Sequence, residues 1–93
     1  MTKTRHFHHR KDDNHNEVVL ACETAGLLVE DIHDGGLADI LVARGTNIFI
    51  IEIKGTGKRN DLTEKQKEKR KRWGRLINTV ESAEEIFKIV GMK

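Results

Sequence analysis

Two short β-branched runs joined by a tight turn constrain this chain more than any other feature. Residues 37–43 (LADILVA) and 48–54 (IFIIEIK) are apolar and rich in isoleucine, and Arg44-Gly45-Thr46-Asn47 lies between them. That pattern reads as a β-hairpin. Glycine at Gly45 suits a two-residue type II′ turn, whose twist matches that of the flanking strands. Arg44 then faces Asn47, and every cross-strand pair of residue numbers adds to 91. Asp39 falls directly opposite Glu52. Opposed residues share a sheet face, with Cβ atoms roughly 4.5–5.5 Å apart. Lys54, two residues beyond Glu52, points to the same face. Ile40, Ile51 and Ile53 point to the other face, which must be packed.

Helix signals flank the hairpin on both sides. Asn14 fits an N-cap, with Glu17 three residues later as its capping-box partner. Val18, Ala21, Cys22 and Ala25 fall on one helical face, and Gly26 fits the stop. Residues 27–33 read as a strand and Asp34-Gly35-Gly36 as a turn. Residues 55–61 form a polar, glycine-containing loop. Thr63-Glu64-Lys65-Gln66 is a second capping box, opening a basic helix that ends near Trp73-Gly74. Residues 76–80 read as a short strand. Ser82-Ala83-Glu84-Glu85 is a third capping box, and its helix carries Ala83, Ile86, Phe87 and Val90 at helical spacing before Gly91. The order α-β-β-β-α-β-α predicts one α/β (α+β) domain over residues 14–93, with a central mixed sheet flanked by helices. Residues 1–13 show no period and read as a flexible, His-rich basic arm.

Length narrows the classes further. At 93 residues the chain suits one domain and excludes a two-domain enzyme with its own cofactor domain. Its core must be thin, which favours a partner subunit. The single cysteine, Cys22, cannot close an internal disulfide and lies on an apolar helix face, so we expect a core residue and a reducing, cytoplasmic setting. No apolar run approaches the roughly 18 residues of a membrane span. Gly55-Thr56-Gly57-Lys58 lacks the full spacing of a phosphate loop, which excludes a nucleotide cofactor of that type. Four of the five histidines (His6, His8, His9, His15) lie in the first 15 residues, without the nearby cysteines that structural zinc sites favour.

Charge is unevenly spread. Residues 54–75 hold ten basic and three acidic side chains, a local net of +7, on a chain whose formal net charge is +2. Such a stripe is either a solvated helix face or the footprint of a polyanion site. Basic groups bind phosphate without reading sequence, and Lys58, Arg59, Lys65, Lys69 and Arg72 are the candidates. With four aromatic residues in the chain, a dedicated single-strand binder is not expected, and recognition by DNA shape is.

The paired carboxylates need an explanation. Two like charges about 5 Å apart repel by roughly 3 kcal/mol at an effective dielectric near 20. Lys54 offsets part of this in an ordinary Asp–Lys–Glu cluster at a sheet end. A divalent cation offsets more, and magnesium is typically held by one or two carboxylates with phosphate oxygens and water. Asp39, Glu52 and an adjacent backbone carbonyl would make half of such a shell. Glu17 and Gln66 read locally as capping-box partners, and Gln66 is also expected to face the sheet. Trp73 is the only large apolar residue on the basic helix and is expected to face the sheet, and Gln66, seven residues earlier, shares its helix face.

Taken together, Gly36-Leu37-Ala38-Asp39-Ile40-Leu41-Val42, the short turn and Ile50-Ile51-Glu52-Ile53-Lys54-Gly55 resemble the motif of the PD-(D/E)XK nucleases. More narrowly they are similar to the VRR-NUC group and small phage proteins related to it. Leu62-Thr63-Glu64-Lys65-Gln66, Asp12-Asp13-Asn14 with Glu17, and Val80-Glu81-Ser82-Ala83-Glu84-Glu85 also look similar, so the likeness covers about residues 12–91. The family's proline is Ala38 here. The resemblance implies a minimal restriction-endonuclease-like domain that cuts DNA with magnesium, manganese being a possible substitute. Asp39 and Glu52 match the metal ligands, Glu17 a further acidic ligand, Lys54 the catalytic lysine and Gln66 a glutamine near the active site. It further implies a homodimer acting on branched DNA such as Holliday junctions, and a phage or bacterial origin. The alternatives are a non-catalytic nucleic-acid-binding module on the same fold, and a small assembly protein with a charged surface.

Overall fold

The hairpin forms in the expected register. In a computed structural model describing residues 14–32, 37–58 and 62–92, β2 (Ile40–Arg44) pairs with β3 (Asn47–Ile53) from Arg44↔Asn47 to Ile40↔Ile51. Gly45 has φ +62°, the positive angle that the favoured hairpin turns require at this position. Around the hairpin the chain adds α1 (His15–Thr24) and β1 (Leu28–Asp31) before it, then α2 (Glu64–Trp73), β4 (Ile77–Val80) and α3 (Ala83–Ile89). This is the α-β-β-β-α-β-α order read from the sequence. The arm at residues 1–13, the turn at residues 34–36 and Arg59 lie outside the described residues.

The four strands lie in sequence order, β1-β2-β3-β4. The first two pairings are antiparallel, and β3 and β4 run parallel. Parallel neighbours need a crossover, and α2 lies in it. One sheet face presents Ile40, Val42, Ile51, Ile53 and Val80 to a core completed by Val18 and Cys22 of α1 and by Ala83, Ile86 and Val90. Ile40, Ile51 and Ile53 are fully buried, as the alternation requires. Burial raises the pKa of the Cys22 thiol, with Glu23 adding to it, which keeps the group protonated. No helix among the described residues is long and apolar enough to cross a membrane.

Three helix starts were expected to close capping boxes, and one does. At α2, Gln66 N–H donates to Thr63 Oγ1 (3.1 Å) and Thr63 N–H donates to Gln66 Oε1 (2.9 Å). At α1, Asn14 holds the N-cap position without a side-chain cap bond. Its Nδ2 donates instead to the carbonyls of Lys54 (3.2 Å) and Glu81 (2.6 Å), fastening the helix to the ends of β3 and β4. At α3, Ser82 makes no cap bond, and the Glu85 carboxylate reaches one residue further back, accepting from Glu81 N–H at 2.6 Å. At α1 long-range partners take the cap side chain, which a local motif cannot anticipate; at α3 the partner is local but lies one residue before the expected one.

The run at residues 37–43 does not start its ladder until Ile40. Asp39 N–H donates to Ile51 O (3.0 Å), one residue off the hairpin register, and Asp39 O accepts from Ile32 N–H. A regular continuation would join Ile53 N–H to the backbone of Ala38. The Asp39 carboxylate takes that bond, with Oδ2 accepting from Ile53 N–H at 2.7 Å. A break of this kind re-aims a side chain at the end of a pairing.

Candidate functional site

Asp39, Glu52 and Lys54 gather where the β2–β3 ladder ends. Their relative exposures are 8%, 5% and 8%, in a chain that buries few other ionisable side chains among its described residues. Buried charges persist only when paired and hydrogen-bonded. The Asp39 and Glu52 carboxyls are hydrogen-bonded to each other. Lys54 Nζ lies 3.9 Å from Glu52 Oε2. Directly opposed pairing of Asp39 with Glu52 is therefore not the detail that unites them. The ladder has broken by then, and the carboxyls meet because Asp39 turns onto the β3 edge.

The basic helix closes the site from the sheet face opposite the core. Gln66 Nε2 donates to Glu52 Oε2 at 2.7 Å, and Gln66 Oε1 accepts from Lys54 Nζ at 3.2 Å. The same Oε1 caps Thr63 N–H. One amide thus caps its helix and also bridges Glu52 and Lys54. One turn later, Arg70 Nη2 donates to Thr79 Oγ1. Thr79 is the parallel-register neighbour of Glu52 and so shares its face.

These contacts set the electrostatics. The Glu52 carboxyl is pushed up from 4.5 to about 7. Burial is the largest cause, because it disfavours the charged form. The negative charge of Asp39 raises it further, and so does the hydrogen bond between the two carboxyls. Lys54 and Arg70 pull the other way. Near neutral pH the Glu52 carboxyl is close to half-protonated, which lowers its repulsion with the adjacent Asp39 carboxyl.

Glu17 is not drawn in. It is exposed in the first turn of α1. Among the described residues no three Asp, Glu, His or Cys side chains form a group that could hold a metal. The oxygen donors brought together are those of Asp39 and Glu52, with the neighbouring backbone. Of the phosphate candidates, Lys58, Lys65 and Arg72 are exposed and Lys69 is half-buried. Lys65, Lys69 and Arg72 fall at spacings of four and three along α2, so they share a face of that helix.

Two site residues escaped the sequence reading. Arg70 is not among the candidate residues read from the sequence, although it lies four residues after Gln66 and so shares its helix face. In the sequence Asn14 fits an N-cap and part of the family likeness, with no sign of its bonds to the carbonyls of Lys54 and Glu81. Conversely, Trp73 does not bury itself against the sheet. It is 37% exposed, and no residue of α2 is buried. The helix meets the sheet through Gln66 and Arg70, so a polar contact has replaced the apolar one that Trp73 was expected to make. A comparison with known protein families, curated proteins and solved structures finds no match to this chain.

Proposed function

We propose that this chain is a metal-dependent endonuclease that hydrolyses DNA phosphodiester bonds, with branched or otherwise interrupted duplex as its substrate. The observation that carries the reading is the buried Asp39–Glu52 pair in contact with Lys54, at the end of a hairpin and beside a basic helix. A carboxyl pair that holds a proton near neutrality is a site where a hard divalent cation can take the proton's place. Magnesium fits the donor set, which is all oxygen, and manganese fits it nearly as well. Such an ion would polarise the phosphodiester and acidify an attacking water.

The chain's own groups have distinct roles in this reading. Asp39 and Glu52 hold the cation. Gln66 fixes the Glu52 carboxylate through Oε2 and holds the Lys54 ammonium with its other end. Lys54 is thereby aimed at the carboxylates, where it can neutralise charge developing on a phosphate or orient the water. Arg70 adds positive potential at Glu52 from the β4 side. Lys65, Lys69 and Arg72 hold phosphates along the duplex. The resemblance to PD-(D/E)XK nucleases supports the assignment of Asp39, Glu52 and Lys54. A homodimer belongs to this reading, with Leu20 of α1 and Leu28 of edge strand β1, both largely exposed, as apolar surface for it to cover.

One observation favours a second reading, a nucleic-acid-binding module without catalysis. Glu17 supplies no third ligand, and Gln66 already occupies an oxygen of Glu52. A cleavage assay separates the two. Four-way junction, plain duplex and single-stranded DNA are incubated with magnesium or manganese, with chelator and Glu52→Ala as controls. The nuclease reading expects metal-dependent cutting that disappears in both controls. Salt-dependent binding with no cutting of any substrate would leave the binding module standing.

A further inference from the structure

Beyond the carboxylate site, the end of α2 opens into a cleft of about 760 Å³, within the size range of small-ligand sites. Arg70, Lys71, Arg72 and Arg75 line it, together with Trp73 and Leu76, and among the described residues no carboxylate does. Trp73 is the only tryptophan in the chain and is 37% exposed. An indole left partly open among four cations, on a helix whose inward contacts are polar, is unexplained by core packing. Aromatic faces surrounded by cations are how proteins hold unpaired nucleotides: the base stacks, and the basic groups take the phosphates on either side. Arg70 joins this cleft to the carboxylate site, since it lines the cleft, bonds to Thr79 and acts on Glu52.

We propose that this cleft is a subsite for an unpaired DNA base, stacked on Trp73, next to the phosphate held at Asp39 and Glu52. This rests on the nuclease reading for its neighbour and sharpens the substrate class. The substrate becomes duplex interrupted by unpaired nucleotides, such as an overhang, a gap or an open branch, rather than continuous duplex. Stacking supplies the preference and the four cations supply salt-sensitive affinity.

The single tryptophan makes the test direct. The full chain, held in chelator so that nothing is cut, is titrated with blunt duplex and with the same duplex carrying a short single-stranded overhang. Trp73 emission is followed throughout. The overhang is expected to quench it strongly, the blunt duplex weakly, and binding of the overhang should be tighter by about five-fold or more. In Trp73→Ala, measured by anisotropy of labelled DNA, that ratio should fall to about one, and Trp73→Phe should restore part of it. Equal quenching by both DNAs would overturn the subsite, as would an unchanged ratio in Trp73→Ala. Because no cleavage is read, the outcome is independent of the nuclease reading. Overhang preference in a chain that never cuts would keep the subsite and remove the enzyme, and cutting without the preference would do the reverse.

Discussion

The β2–β3 hairpin and α2 each supply half of the site, and they are held in opposite ways. The hairpin is anchored from beneath by Ile40, Ile51 and Ile53, all fully buried, so Asp39, Glu52 and Lys54 stand on a close-packed base. No residue of α2 is fully buried. Its grip on the sheet consists of Gln66 on Glu52 and Lys54, and Arg70 on Thr79. Charged and polar contacts on a half-exposed helix are individually worth little. The contrast teaches a division of labour. The carboxylates are held in place by the core beneath them, and the helix proposed to meet DNA is held by a few polar contacts.

The largest expected effect comes from breaking the hairpin's chemistry and leaving its packing intact. Asp39→Ala or Glu52→Ala should lower metal-dependent cleavage about a thousand-fold or more, with circular dichroism unchanged. Next comes the packing beneath it. Ile53→Ala should cost about 2–5 kcal/mol, read as a fall in urea midpoint, whereas Trp73→Ala on α2 should move stability by less than about 1 kcal/mol. If the two variants were equally destabilising, the contrast between the regions would be lost.

A third effect is pH-dependent. The folded state holds the Glu52 proton more tightly than the unfolded chain does, so it binds more protons between the two pKa values. Stability therefore falls as pH rises from about 4.5 to about 7, and levels off above that. The fall is on the order of 3 kcal/mol by the usual conversion of pKa shift to free energy. Urea unfolding in chelator should show the slope, and Glu52→Gln should lack it. The smallest effect sharpens the role of α2. Gln66→Ala should cost about 1 kcal/mol through its lost cap, yet cut activity by roughly 10–100-fold through the freed Glu52 and Lys54.

The same division explains what the sequence made legible. Hairpin register followed from one turn, because Gly45 and the period-two alternation leave no freedom once a face is buried. The positions of Ile40, Ile51, Ile53, Glu52 and Lys54 all came from that arithmetic. Asp39 came with them for a reason only partly right, since it departs from the ladder to bond Ile53 N–H. On α2 the reading weakened. Arg70 could have been placed by its four-residue spacing from Gln66, but charge alone points a side chain to solvent, and hydrophobicity alone misjudged Trp73. The missing cap bond of Asn14 was not legible, because a cap side chain with a tertiary partner looks, in sequence, the same as one without, and Glu85 reaches Glu81 N–H, a one-residue shift that the capping-box spacing does not resolve. Glu17 keeps its place on α1, but spacing could not show that it stays in solvent.

The central claim is that the Asp39–Glu52 pair exchanges a proton for a divalent cation. Calorimetric titration of manganese near pH 6.5, repeated in buffers of different ionisation heat, tests it most directly. The account predicts binding accompanied by release of a substantial fraction of a proton, with both lost in Glu52→Gln. Manganese binding that is equally tight in Glu52→Gln, or no binding at millimolar metal in the intact chain, would contradict it.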